Sequence, residues 1–312
     1  MADRSPYAAT LALAVIVACA KGTPPGDAPG EVTPSGSAPP TGTLSALRFA
    51  VVGDTRPATP DDLAGYPTAI ISAIYGDIGA SSPPPAFVIS TGDYQFSSGG
   101  GASAAAQLDL YVAARSAFSG PLYAALGNHE CTGATASNCG PSGKDGTTPA
   151  YEAFLAKLLA PAGQTSPYYS VSFAAEDGGW TAKVVIVAAN AWSSDQASWL
   201  TSVLGEPTTY TFIVRHEPAA EKHAPGVAPS EAIMAGFPFT LAIVGHSHTF
   251  RRSGDREIIV GNGGAPLSGD ARYGYGLVSR KSDGNVQVEM IDYESGASSQ
   301  GFRVAPNGAP VP

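Results

Sequence analysis

Five times along this sequence a short apolar run ends abruptly in side chains that can bind a cation. The runs cover residues 48–52, 86–90, 122–126, 210–214 and 241–244. The segments that follow them are Gly53-Asp54-Thr55-Arg56, Gly92-Asp93, Gly127-Asn128-His129-Glu130, Arg215-His216-Glu217 and Gly245-His246-Ser247-His248. The runs are rich in Val, Ile and Phe and read as strands. In open α/β sheets, ligands bind at the carboxyl ends of strands. Five strands that each stop and present Asp, Asn or His therefore point to one shared site.

The intervening sequence carries helical periodicity. Leu63, Tyr66, Ile70 and Ile74 are spaced by three, four and four residues, with Asp61 placed to cap that helix. Residues 151–159 and 194–204 also read as helices. A further run at 182–188, and strands at 257–260, 276–279 and 286–291, complete an alternation of β and α followed by β. That order implies an α/β fold with a mixed sheet or two packed sheets. Hydrophobic residues make up 44% of the 312, enough for a substantial core, while a net charge of −9 argues against a nucleic-acid platform. The carboxylates are free to serve cations.

The first segment has the look of an export signal. Arg4 precedes an apolar stretch at residues 8–18 that is too short to span a bilayer. It ends in Ile16-Val17-Ala18-Cys19, which resembles a bacterial lipobox. Residues 1–19 are accordingly expected to be a lipoprotein signal, with Cys19 lipidated and anchoring the chain to a bilayer of the cell envelope. An ordinary cleaved signal with an incidental Cys is the alternative. Residues 20–46, rich in Pro, Gly, Ser and Thr, read as a flexible tether, residues 47–304 as the folded domain, and residues 305–312 as a loose tail. In an oxidising envelope Cys131 and Cys139 are expected to form a disulfide, against the alternative of two free thiols.

Carboxylate, amide and imidazole donors without thiolates suit Mn, Fe, Zn or Ni. No G-x-S-x-G elbow is present to suggest a serine hydrolase. The ordered segments, together with Ser194-Asp195-Gln196 leading to Trp199-Leu200 and the turn Gly261-Asn262-Gly263-Gly264-Ala265, resemble the calcineurin-like metallophosphoesterases, which include the purple acid phosphatases. The resemblance runs from about Leu47 to Ser268. It implies a four-layer αββα sandwich of two mixed sheets flanked by helices. It also implies two metal ions (Fe, Mn or Zn) and hydrolysis of a phosphorylated substrate by a hydroxide bridging them.

Position by position, the resemblance assigns Asp54 and His248 to the first metal and Asp93 to both. Asn128, His216 and His246 fall to the second. His129 becomes the phosphate contact or leaving-group acid; beyond the resemblance, the adjacent Glu130 is expected to set its tautomer. One departure stands out. The family's first motif is usually D-x-H, and here the last position is Arg56, which cannot ligate a cation. The purple acid phosphatases replace that His with a Tyr three residues after the bridging Asp, and here that residue is Phe96. The first metal is left with Asp54, Asp93 and His248. Arg56 reads either as a phosphate clamp or as a salt-bridge partner. His223 could touch substrate or be a solvated loop residue, and Arg252 could buttress the site. The alternative function is a surface lipoprotein that binds a phosphorylated ligand without turning it over.

Overall fold

The computed structural model describes residues 42–141 and 143–312. The signal segment, Cys19 and most of the expected tether lie outside them. Two seven-stranded sheets organise the chain. The first runs in the order β1 (Gly42–Leu44), β5 (Tyr169–Ala175), β6 (Thr181–Ile186), β7 (Tyr210–Val214), β8 (Leu241–Val244), β10 (Glu257–Val260) and β9 (Phe250–Arg252). The second runs β14 (Pro310–Val311), β13 (Ser298–Val304), β12 (Val286–Asp292), β11 (Gly274–Arg280), β2 (Arg48–Val52), β3 (Phe87–Ser90) and β4 (Leu122–Ala124). Both are mixed. β6, β7, β8 and β10 are mutually parallel in the first, and β2, β3 and β4 in the second.

Strand alternation decides which face each residue takes. In the first sheet Ala182, Val184, Ile186, Phe212, Val214, Leu241 and Ile243 enter the large core between the sheets. Their neighbours Val185, Val187, Ile213 and Ala242 face outward into a second cluster. There they meet Trp199, Leu200, Val203 and Leu204 of α4 (Ser194–Gly205) and Met234 of α5 (Val227–Met234). The helices α1 (Thr68–Ala80) and α2 (Ala104–Arg115) add Ile71, Ile74, Tyr75, Ile78, Leu108 and Tyr111 to the large core, and the Tyr75 and Tyr111 hydroxyls share a 2.7 Å hydrogen bond. α3 (Pro149–Phe154) contributes Tyr151 and Phe154. Four phenylalanines join the sheets. Phe49 meets Phe212 edge-on at 4.9 Å, Phe87 stacks on Phe173 at 4.8 Å, and Phe49 stacks on Phe87 at 5.0 Å.

Three expectations need correction. The helix carrying Ile70 and Ile74 starts at Thr68 after Pro67, not near Asp61, and Leu63 is 46% exposed. A proline has no N–H to give and a fixed φ, so it sits at a helix start. Asp61 instead accepts from Ser103 Oγ at 2.5 Å and from the Ser98 N–H at 3.1 Å, holding the loop after β3. The expected tether ends earlier than residue 46, because Gly42–Leu44 pairs with β5 and satisfies its edge. The residues after 304 are not loose. Pro310–Val311 pairs with β13, and the Pro306 carbonyl accepts from Thr240 Oγ1 at 2.5 Å.

Phe87→Ala should destabilise the chain by about 3–5 kcal/mol, because it opens a cavity at the seam between the sheets. Urea unfolding measures this. A loss well under 1 kcal/mol would contradict the seam described above.

Candidate metal centre

The carboxyl ends of β2, β3 and β4 in one sheet and β7 and β8 in the other converge along one edge. At this edge four non-glycine residues adopt left-handed backbone: Asp54 (φ 56°), Asp93 (58°), His246 (71°) and His248 (41°). Such conformations cost of order 1–3 kcal/mol each and persist only where surrounding contacts hold them. Here the backbone is stitched across both sheets. The Asp54 N–H donates to the Gly92 carbonyl at 3.0 Å, the Thr55 N–H to that of Asp93 at 2.9 Å, and the His246 N–H to Asp54 Oδ2 at 2.8 Å. Close approach explains two glycines that precede ligands. A Cβ on Gly92 (φ 112°) would lie 2.7 Å from His216 Nδ1, and one on Gly245 would lie 2.6 Å from Asp54 Oδ2.

The side chains form two groups that share Asp93. Donor atoms of Asp93, His216 and His246 lie within 4.8 Å of one another, as do those of Asp54, Asp93 and His248. Asn128 joins the first group. Its Oδ1 is 3.1 Å from His216 Nε2 and 3.0 Å from His246 Nδ1, while its Nδ2 donates to the Gly133 carbonyl at 3.1 Å and so turns the oxygen inward. His216 Nε2 is also 3.3 Å from Asp93 Oδ1 and 3.2 Å from His246 Nδ1. Tetrahedral ligands about 2.0–2.1 Å from a zinc-sized ion lie about 3.3–3.4 Å apart, so this group fits one ion with little adjustment. In the second group Asp54 Oδ1 is fully buried, has no hydrogen-bond partner, and lies 3.6 Å from His248 Nε2.

Two of the three imidazoles are oriented alike. His216 Nδ1 sits 2.8 Å from the Thr91 carbonyl and His248 Nδ1 sits 2.8 Å from that of Pro266. A carbonyl only accepts, so each Nδ1 carries a proton and each Nε2 faces inward as the nitrogen able to ligate a metal. His246 is reversed. Its Nε2 meets Glu221 Oε2 at 3.1 Å, and Nδ1 points inward. Glu221 is itself held by Ser247 Oγ at 2.7 Å. Outer partners of this kind fix ligand tautomers in metal sites.

Charge follows from burial. Burial pushes the Asp54 carboxyl well above the usual range, opposed by His216 and reinforced by the Asp93 charge. Burial also opposes ionisation of Asp93, but His216, His129 and Arg56 outweigh it and hold that carboxyl well below the usual range. Burial would lower His216, yet Asp93 and Asp54 raise it to about 10. The carboxylates thus recruit a proton where they lack another cation, and ligand protons are what metal binding displaces.

His129 Nε2 lies 3.8 Å from Asp93 Oδ2, and its ring meets Phe96 edge-on at 4.4 Å. Burial, with Arg56, brings its pKa down to about 4 against the pull of Asp93. Glu130 does not set its tautomer, because His129 Nδ1 is buried without a partner. Glu130 accepts instead from the N–H groups of Asp93 (2.8 Å), Tyr94 (2.8 Å), Gly127 (2.9 Å) and Gln95 (3.3 Å). It pins the ends of β3 and β4 together.

The remaining candidates divide. Arg56 Nε is 3.7 Å from Asp93 Oδ2 and its guanidinium lies 4.8 Å from the Phe96 ring centroid, so it belongs to the site. His223 is exposed on the loop after His216 and is in neither ligand group. Arg252 does not buttress the centre. It donates to the carbonyls of Gly254 and Asp255 and covers Phe302. Cys131 and Cys139 stand as buried free thiols within hydrogen-bonding reach of each other, unbridged. Glu221 was missed in the sequence, since a carboxylate five residues after His216 in a Pro-rich loop gives no local signal.

The family model for calcineurin-like phosphoesterases matches residues 47–250. No curated protein matches the chain. Among solved structures it is similar to a purple acid phosphatase from yellow lupin (Lupinus luteus) seeds, with a TM-score of 0.61 at 15% identity. That match covers 86% of this chain and 55% of the lupin one, so the chain spans little more than half of that protein. It is also similar to a dimetal phosphatase from Danio rerio, with a TM-score of 0.55 at 13% identity, over 84% of this chain and 100% of that one.

Glu130→Ala should orphan buried N–H groups on both sides of Asp93. We expect a loss of about 3 kcal/mol or more in urea unfolding, together with reduced metal retention. An unchanged unfolding midpoint would show that Glu130 does not hold these loops.

Proposed function

The chain belongs to the calcineurin-like phosphoesterase family, and from that premise we propose that it hydrolyses phosphate esters at a dinuclear centre held by Asp54, Asp93, Asn128, His216, His246 and His248. One observation carries the reading. Three imidazoles with their outer nitrogens engaged turn their inward nitrogens to the same points as two buried carboxylates, one of them shared between both groups. The Danio rerio structure is by name a dimetal phosphatase, which supports the same count of ions. Oxygen and nitrogen donors suit Fe, Mn or Zn. When bound, such ions supply Lewis acidity and a water of lowered pKa.

The chain's own groups divide the remaining work. Arg56 offers a planar fork of N–H donors to phosphate oxygens. His129, neutral in the free site with a pKa of about 4, donates a hydrogen bond to the phosphate. The charge of a bound phosphate favours the imidazolium, which can then pass a proton to the departing oxygen. Asn128 and Glu221 hold the second-metal ligands in register, and Glu130 keeps Asp93 in place. The exposed His223 is left to meet the substrate at the rim.

The test is bound metal together with turnover of a phosphomonoester and a phosphodiester, with Mn or Zn added back after chelation. Activity should vanish with the metal and return with it. His129→Ala should lower kcat on an unactivated alkyl ester by about 10²–10⁴-fold, and by less on a nitrophenyl ester. A folded chain that takes up no metal and turns over neither substrate would instead be a phosphate-ligand binder.

We extend the proposal to location. The apolar stretch ending at Cys19 supports export and lipid anchoring, and in an oxidising envelope Cys131 and Cys139 would pair, stabilising the fold by about 2–3 kcal/mol. Among the described residues no helix is long and apolar enough to cross a membrane. Cys19→Ser should therefore move the protein from the membrane fraction to the soluble one. Unaltered membrane retention would remove the anchor.

A further inference from the structure

The two ligand groups are not equivalent, and the difference centres on one guanidinium. In the group of Asp93, Asn128, His216 and His246, donor separations are 3.0–3.3 Å, and Arg56 reaches this group through Asp93, the ligand both groups share. In the group of Asp54, Asp93 and His248, three side chains supply donors, one of them shared. Arg56 Nη2 stands 3.4 Å from His248 Nε2, facing the lone pair that a metal would use, and Arg56 Nε stands 3.7 Å from Asp93 Oδ2. The guanidinium is fixed there. It lies 4.8 Å from the Phe96 centroid, donates to the Pro57 carbonyl at 3.1 Å, and its side chain is only 15% exposed. Arginine cannot shed its charge by deprotonation.

Resting on the metal-centre reading above, we propose that the centre is unequal. The Asp93/Asn128/His216/His246 pocket binds its ion tightly. The Asp54/Asp93/His248 pocket takes a second ion weakly, because Arg56 already supplies positive charge to Asp93 and a donor to His248. An incoming cation must displace the guanidinium or endure its repulsion across a few ångströms of low-dielectric interior. It also gains fewer protein donors. Occupancy of the second pocket then follows metal supply, so the chain alternates between a one-ion and a two-ion form. Phe96 is part of the device, since its ring holds the guanidinium over the pocket and offers no ligating atom.

The experiment titrates the metal-free full chain with Zn²⁺ or Mn²⁺ by calorimetry and counts ions retained after gel filtration. Wild type should retain about one ion, with the second binding about 100-fold or more weakly. Arg56→Gln should tighten the second ion about 10–100-fold while moving the first by no more than about threefold. Arg56→His, which adds a donor where the charge stood, should tighten it further. Asn128→Ala should release the tight ion. Two ions of equal affinity in wild type, with turnover intact, would overturn the inequality and leave the phosphoesterase reading standing. An unchanged second affinity in a folded Arg56→Gln would overturn it as well. A folded wild type that binds no ion would remove both. The wild-type count stands as a test even if a variant fails to fold.

Discussion

Asp54 and Asp93 are buried side by side, and a protein cannot keep two carboxylates out of water unless positive charge and hydrogen-bond donors meet them. The architecture of the edge follows from that demand. The two sheets bring their parallel strands to one line, so that three strand ends supply the acids, the amide and His129 while two others supply the remaining imidazoles. The His246 N–H donates to one carboxylate and the His129 N–H to the other, at 2.8 and 3.1 Å, so ligand loops of one motif are braced by ligands of another. Arg56 and His216 bring charge where the acids require it.

This mutual bracing explains why so much strained backbone survives in one place. A left-handed Asp or His would relax in an isolated loop. Asp54, Asp93, His246 and His248 do not, because each turn is closed by a partner from another strand end. Glu130 is the clearest case. Its carboxylate collects N–H groups from both β3 and β4 ends, and burial with the Asp93 charge raises its pKa to about 7 while those donors pull the other way. The group never touches a ligand atom, yet it decides where the shared carboxylate sits.

Arg56 sets this chain's centre apart from a symmetric pair of sites. A ligand would draw a second ion in, whereas a guanidinium in contact with the same carboxylate and imidazole would, on the proposed reading, compete with it. On the proposed reading, metal binding and substrate binding meet at this one side chain, whose guanidinium lies 4.8 Å from the Phe96 ring centroid.

The order of apolar runs and their polar endings was enough to predict an α/β fold and to assemble the ligand candidates. Strand ends read locally: a run of Val, Ile and Phe is buried wherever it lies, and the residue that stops it must surface at a sheet edge. Signals that depend on a partner were not legible. Gly42–Leu44 and Pro310–Val311 became strands only because an open edge awaited them. The helix expected from Asp61 began at Thr68, because the prolines upstream leave that segment to a loop tied down by Ser103. Glu130 and Glu221 took their roles from N–H groups and an imidazole distant in the chain, and whether Arg56 faces a phosphate or a neighbouring ligand depends on where the Phe96 ring holds it. Residue type and periodicity determine what a segment can bind and which face it buries, while the identity of its partner is decided only when strands far apart in the chain are brought within hydrogen-bonding distance.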